Sequence, residues 1–159
     1  MFTMRTRHVV LAGAALITAA TAFVAASVQP AQKSAPSSMV VYKSATCGCC
    51  KGWIAHLNAR GFQVEGRDVP DSQLTPIAIQ AGVPADLQTC HTAKVAGYIV
   101  EGHVPAEDIQ RMLKEKPAIV GIGVGGMPIG SPGMEGGAAQ HFNTMAFTKD
   151  GKETIFAKH

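Results

Sequence analysis

Charge is scarce in this 159-residue chain: Asp, Glu, Lys and Arg make up 16% of it, and none occurs between His8 and Lys33. The basic residues elsewhere are scattered, with no Lys/Arg stripe interleaved with aromatics of the kind that tracking a phosphate backbone requires. No nucleic-acid partner is expected. No internal repeat is visible either. With 47% hydrophobic residues the chain is too apolar to stay disordered throughout. Its length admits one ordinary domain of about 100–150 residues plus an appendage.

The gap in charge marks the appendage. Arg5, Arg7 and His8 precede Val9–Ala26, an unbroken run of Val, Leu, Ala, Ile, Thr, Gly and Phe, and the small residues Ala25, Ala26 and Ser27 close it. This is the layout of an export signal, expected to be cleaved near Ala26 or Ser27, with no Cys there to take a lipid. About 20 apolar residues can also span a bilayer, but a run so rich in Ala and Thr is weakly hydrophobic, which favours cleavage over an anchor. Residues 1–26 therefore read as a signal peptide, 27–38 as a polar, Pro-containing flexible spacer, and 39–159 as the folded domain. Membrane contact is expected only through the export signal. Without Arg5 and Arg7, twelve Lys and Arg face eleven Asp and Glu.

Within the domain, β-rich runs alternate with helical periodicity. Met39–Lys43 reads as a strand, and Lys51–Arg60 as a helix with Trp53, Ile54 and Leu57 on one face, ended by Gly61. Phe62–Val69 reads as a second strand and Pro70-Asp71-Ser72 as a turn. Leu74, Ile77, Ala78 and Ala81 fall at helical spacing before Gly82 and Pro84. Lys94–Val100 reads as a third strand, Pro105–Lys116 as a third helix stopped by Pro117, and Ile119–Val124 as a further strand. Glycines and prolines make residues 125–137 a loop. Asp150-Gly151 between two β-prone runs, Asn143–Thr148 and Glu153–Ala157, signals a hairpin. The expected class is α/β: a thioredoxin-like sheet layered with helices, plus a C-terminal Gly/Pro-rich loop and β-hairpin.

The chemistry starts at Cys47-Gly48-Cys49-Cys50. Cys47 and Cys50 form a C-x-x-C at the start of a helix that follows a strand, the thioredoxin-like placement. The helix N-terminus and Lys51 both favour negative charge, so one or more of these thiols should ionise more readily than a free cysteine. A fourth sulfur, Cys90, precedes the third strand. In a thioredoxin-like sheet that position lies beside the first helix's N-terminus, so all four sulfurs can converge.

Three readings stand open. Structural disulfides suit an exported protein, but adjacent Cys49 and Cys50 would close a cramped ring, and a 47–50 bridge closes too short a loop to staple much. A thiol–disulfide oxidoreductase needs only Cys47 and Cys50, leaving Cys49 and Cys90 surplus. A soft metal site uses all four. Thiolates select Cu(I), Zn or iron–sulfur clusters, and three cysteines within four residues can bridge several soft ions as readily as enclose one. Zinc sites usually draw on two separated ligand pairs, so copper is the first choice. His91, His103, Met127 and Met134 are weaker ligand candidates, since histidines near strand ends often only hydrogen-bond and a loop Met more often packs. A hybrid, in which the same sulfurs reduce Cu(II) while binding it, would make the protein a copper oxidoreductase.

The chain resembles the CopG-like periplasmic copper-resistance proteins, also catalogued as a domain of unknown function. The resemblance covers roughly Met39 to the end. It is carried by Tyr42-Lys43-Ser44, Cys47-Gly48-Cys49-Cys50, Trp53, Cys90-His91-Thr92-Ala93, Gly97-Tyr98, Glu101-Gly102-His103-Val104-Pro105 and Gly126–Met134. It implies a thioredoxin-like fold, copper binding through Cys47, Cys49, Cys50 and Cys90, and a role in metal tolerance at the cell envelope. Copper ions are then the ligand, and periplasmic copper-transport or copper-oxidising proteins the partners to expect.

Overall fold

The computed structural model describes residues 37–159; the expected export signal and all but the last two residues of the expected spacer lie outside them. Among the described residues the chain runs β1 (Ser38–Ser44), α1 (Gly48–Ala59), β2 (Gln63–Val69), α2 (Asp71–Gln80), a short 3-10 helix (Ala85–Leu87), β3 (His91–Val95) and β4 (Tyr98–Gly102). It continues through α3 (Ala106–Glu115), β5 (Gly121–Val124), β6 (Asn143–Phe147) and β7 (Glu153–Lys158). The seven strands form one sheet in the order β2-β1-β3-β4-β5-β6-β7. β1 and β2 are parallel across α1, and β4 and β5 parallel across α3, because parallel neighbours need a crossover. The remaining pairs are antiparallel. The expected α/β class, with a C-terminal loop and hairpin, is what folds.

Side chains alternate across a strand, so the register decides which residues share a face. Val41, Ala93, Val100, Ile122 and Ala146 stand directly opposite one another from β1 through β3, β4 and β5 to β6. That row packs with Trp53 and Leu57 of α1 and Ile109 and Met112 of α3 into the larger core. Ile99 and Phe147 join a second core with Ala78 of α2, Val83 and Leu87. Trp53 anchors the first: it is wholly buried, and its indole N–H donates to the Val104 carbonyl at 2.8 Å. Burying such a side chain contributes roughly 1.5–3 kcal/mol, and the bonded N–H removes the penalty of burying a donor.

Three expectations need correction. The single strand over Lys94–Val100 is instead a hairpin, β3 to β4, turning at Ala96 and Gly97. Both turn residues have positive φ, 47° and 86°, as a tight I′ turn demands. Val95-Ala96-Gly97-Tyr98 carries no Asn, Asp or Pro, which is why it reads as continuous. The first helix begins at Gly48 rather than Lys51, because Cys47 supplies the N-cap: its Sγ accepts from the Cys50 N–H, a role commonly filled by Ser or Asp. The second helix begins at Asp71, so Asp71 and Ser72 are helical rather than a turn. Of its expected apolar face only Ala78 is fully buried, while Leu74 and Ile77 are half-buried.

β4 ends where it does because of Gly102. Its φ is +70°, and a Cβ there would come 2.3 Å from the Val124 carbonyl oxygen. Gly102→Ala is expected to destabilise the fold by about 3 kcal/mol through backbone strain and overpacking. Chemical denaturation checks this, and a loss within error of zero would refute the tight approach of β4 and β5.

Candidate metal centre

The turn from β1 into α1 is fixed by short local bonds. The Cys47 N–H donates to the Ser44 carbonyl at 3.2 Å, and the Thr46 N–H to the Ser44 hydroxyl at 3.3 Å. Cys47 caps α1 while Cys49 and Cys50 occupy its first turn. Across the sheet, Lys43 of β1 stands opposite His91 of β3. Cys90, one residue before β3, is therefore delivered beside the residues that follow β1.

The convergence expected of the four sulfurs is realised. Cys47 and Cys50 are joined as a disulfide, and Cys49 and Cys90 are free thiols. The Cys90 Sγ lies 3.2 Å from that of Cys50 and 3.5 Å from that of Cys47, which in turn is 3.5 Å from that of Cys49. Burial, reinforced by neighbouring Cys49, pushes the Cys90 thiol up to about 12. The ready ionisation expected of the helix-borne thiols thus does not extend to Cys90, which keeps its proton until something displaces it.

Two imidazoles complete the arrangement. His91 is fully buried, tilted against Trp53 with ring centroids 4.5 Å apart. Its Nε2 is 3.0 Å from the Gly102 carbonyl, which can only accept, so Nε2 carries the hydrogen and Nδ1 keeps its lone pair, 3.8 Å from the Cys90 Sγ. Burial and neighbouring His103 lower His91 to about 3, so it is neutral. His103 repeats the logic. Its Nδ1 donates to the Pro132 carbonyl at 2.7 Å, burial lowers its pKa, and its Nε2 is buried with no hydrogen-bond partner. Donating one ring N–H to a backbone carbonyl while the other nitrogen stays free is how metal-bound histidines are commonly oriented. The ligand atoms of Cys90, His91 and His103 lie within 4.8 Å of one another, as do the four sulfurs. Cys90 belongs to both groups.

The Gly/Pro-rich loop closes on this centre. Gly133, at φ +86°, lies so close to α1 that a Cβ would come 2.6 Å from the Cys49 carbonyl oxygen and 2.7 Å from the Trp53 nitrogen. Met127 places its Sδ 3.9 Å from the Cys90 Sγ. Met134 contributes through its main chain instead, accepting from Gly130 and donating to Ser131.

One residue without an assigned role in the sequence reading emerges here. Glu101 is fully buried on β4, opposite Thr92. Its Oε1 accepts from both the N–H and the hydroxyl of Thr89, at 2.8 and 3.1 Å, while Oε2 has no partner. Glu101 thereby holds the segment that presents Cys90. Glu101 stands in a motif that carries the family resemblance, but the resemblance gives it no role, and a Glu between a strand and a Gly otherwise reads as exposed.

A family model described as a protein of unknown function, DUF411, matches residues 87–134, a span from the 3-10 helix through Cys90 and both histidines into the loop. No curated protein matches. Two solved structures of a copper resistance protein, CopG, in Form 1 and Form 2, are each 41% identical to this chain. Each match covers 78% of this chain and 98% of the solved one, with a TM-score of 0.72.

Buried Glu101 and His91 give the metal-free protein a defined pH response. Burial raises Glu101 to about 7 from 4.5. The folded state then holds a proton that the unfolded chain has lost, and this contribution to stability, complete below pH 4.5, disappears as pH rises through 7. His91, lowered from 6.5 to about 3, works the other way, its contribution being lost as pH falls from 6.5 towards 3. Glu101→Gln keeps an acceptor for Thr89 and removes the charge. Relative to the parent it is expected to gain on the order of 3 kcal/mol between pH 4.5 and about pH 8, measured by urea denaturation; parallel pH profiles for the two proteins would sink this account.

Proposed function

Because this chain belongs to the CopG family of copper resistance proteins, we propose that it is an exported protein that captures Cu(I) on its cysteine cluster and so contributes to copper resistance. The observation that carries this reading is the meeting of four sulfurs and two neutral imidazole lone pairs around Cys90. Soft sulfur donors beside two neutral imidazoles in a half-buried pocket suit a monovalent d10 ion better than Zn(II), which favours thiolate and imidazole ligands in two separated pairs. Once a reductant such as a cellular thiol opens the Cys47–Cys50 disulfide by two electrons, Cys47, Cys49, Cys50 and Cys90 are the principal ligands, supported by His91 and His103, while Met127 stands near enough to meet arriving copper and Met134 is the least favoured by its placement. Cys90 as a shared member suits a multinuclear copper cluster. Copper is the cargo, and binding releases protons from the thiols, Cys90's above all.

We read the β1-α1-β2-α2-β3-β4-α3 connectivity as a thioredoxin-like unit extended by β5, β6 and β7. The periplasm is the compartment that best suits the expected export signal and the Cys47–Cys50 disulfide, and no described helix is long and apolar enough to cross a membrane. Copper-transport or copper-oxidising proteins of that compartment are the natural exchange partners.

The disulfide favours one alternative, a thiol–disulfide oxidoreductase acting through Cys47 and Cys50. Internal exchange with Cys90 would need its sulfur on the axis of the bond, about 2 Å farther from the leaving sulfur than from the attacked one. Cys90 instead sits beside the bond, nearly equidistant from both sulfurs at 3.2 and 3.5 Å. That placement suits a shared copper ligand once the disulfide is reduced, and exchange of Cys47 and Cys50 with a substrate disulfide is decided by turnover.

Reduced protein titrated anaerobically with Cu(I) is expected to bind tightly, with Cys49→Ser and Cys90→Ser each weakening binding by about tenfold or more. Unchanged affinity in both variants would remove the copper reading. Turnover of a disulfide substrate that needs only Cys47 and Cys50, and is indifferent to Cys90→Ser, would establish the alternative in its place.

A further inference from the structure

We infer that Met127 is the port through which Cu(I) reaches the cluster, an inference that rests on the copper reading above. The candidate donors form a gradient of burial. Met127 is 40% exposed, Cys47, Cys49 and Cys90 are half-buried, and Cys50, His91 and His103 are buried. Cys90 is the member common to the four-sulfur group and the Cys90, His91 and His103 group, and Met127 Sδ stands 3.9 Å from it. An ion arriving from solvent along this side meets the thioether before the thiols.

The backbone holds Met127 there at a cost. Its φ is +47°, beside Gly126 at +74°, and a non-glycine residue in the left-handed region is sterically disfavoured. Such conformations persist where the surroundings impose them, and they gather at ligand clamps. Here the loop on either side is tied down. The Ser131 hydroxyl donates to the Pro128 carbonyl at 2.7 Å, the Ile129 N–H to the Gln140 side chain at 3.0 Å, and His103 to the Pro132 carbonyl. A large apolar side chain is thus kept at the surface with its sulfur turned to Cys90.

The chemistry of a thioether suits a port. It has no proton to lose, so it takes up a soft monovalent ion without displacing one, and it is a weak enough ligand to let go. Transfer is a ligand exchange: the bond from Met127 sulfur to Cu(I) breaks as the bond from Cys90 sulfur forms, the Cys90 thiol proton leaves to solvent, and copper stays Cu(I) throughout. Zn(II), which is bound by thiolate, imidazole and carboxylate, gains no such first hold.

Met127→Leu keeps size and backbone constraint and removes only the sulfur. In a stopped-flow experiment, reduced full-length protein is mixed anaerobically with Cu(I) held by a competing chelator, and separately with Zn(II). The variant is expected to load Cu(I) about tenfold more slowly, to reach the same final copper-to-protein ratio, and to load Zn(II) at the parent rate. An unchanged Cu(I) rate, an equal slowing of both metals, or a lower final copper ratio would each overturn the port, the last by making Met127 a permanent ligand. Failure of the parent protein to take up Cu(I) at all would remove the copper reading itself, and is told apart because it needs no variant.

Discussion

The antiparallel register of β1 against β3 is the constraint on which the centre depends. With Lys43 opposite His91, the residue before β3 falls next to those after β1, and Cys90 meets a cluster 40 to 43 positions earlier in the chain. The period of a strand is two, so a slip of one residue would turn His91 from Trp53 to the other face and carry Cys90 away from the helix. The register is in turn held by the apolar row that crosses from Val41 through Ala93 to Val100, Ile122 and Ala146. Hydrophobic packing on one face thus fixes the position of sulfur at the strand ends.

Around the cluster the protein buries polar groups that a purely structural core would avoid. His91, His103 and Glu101 are all wholly buried, yet His103 Nε2 and Glu101 Oε2 have no partner. An unpaired buried polar atom costs about 1–3 kcal/mol. For the histidines the expense has a clear correlate: burial keeps the rings neutral, and the carbonyls of Gly102 and Pro132 fix which nitrogen remains free. Glu101 turns its bonded oxygen to Thr89, bracing the segment next to Cys90. Supporting groups and ligand atoms are therefore organised together.

Glycines make the close approaches possible. Gly102 lets β4 run against Val124 while offering its own carbonyl to His91, and Gly133 lets the loop rest on the first turns of α1. Where a side chain would collide with backbone, only hydrogen fits. The same loop carries Met127, an exposed sulfur beside the cluster.

The α/β class, most helices and strands, the C-terminal hairpin and the candidate ligands were legible from residue pattern, because periodicity, turn residues and the chemistry of sulfur are local properties. The sequence also placed Cys90 correctly before β3. It misread Lys94–Val100 as one strand, since a turn at Ala96-Gly97 depends on two positive φ angles rather than on marked residue types. It missed the capping by Cys47, which lengthens α1, and gave no role to Glu101, whose burial follows from the strands and loop around it. Folding alone settles which nitrogens of His91 and His103 are free, that Met127 rather than Met134 turns its sulfur to Cys90, and that Cys90 lies beside the Cys47–Cys50 bond. Those are relations between segments distant along the chain, set by strand register and backbone approach, and no stretch of neighbouring residues contains them.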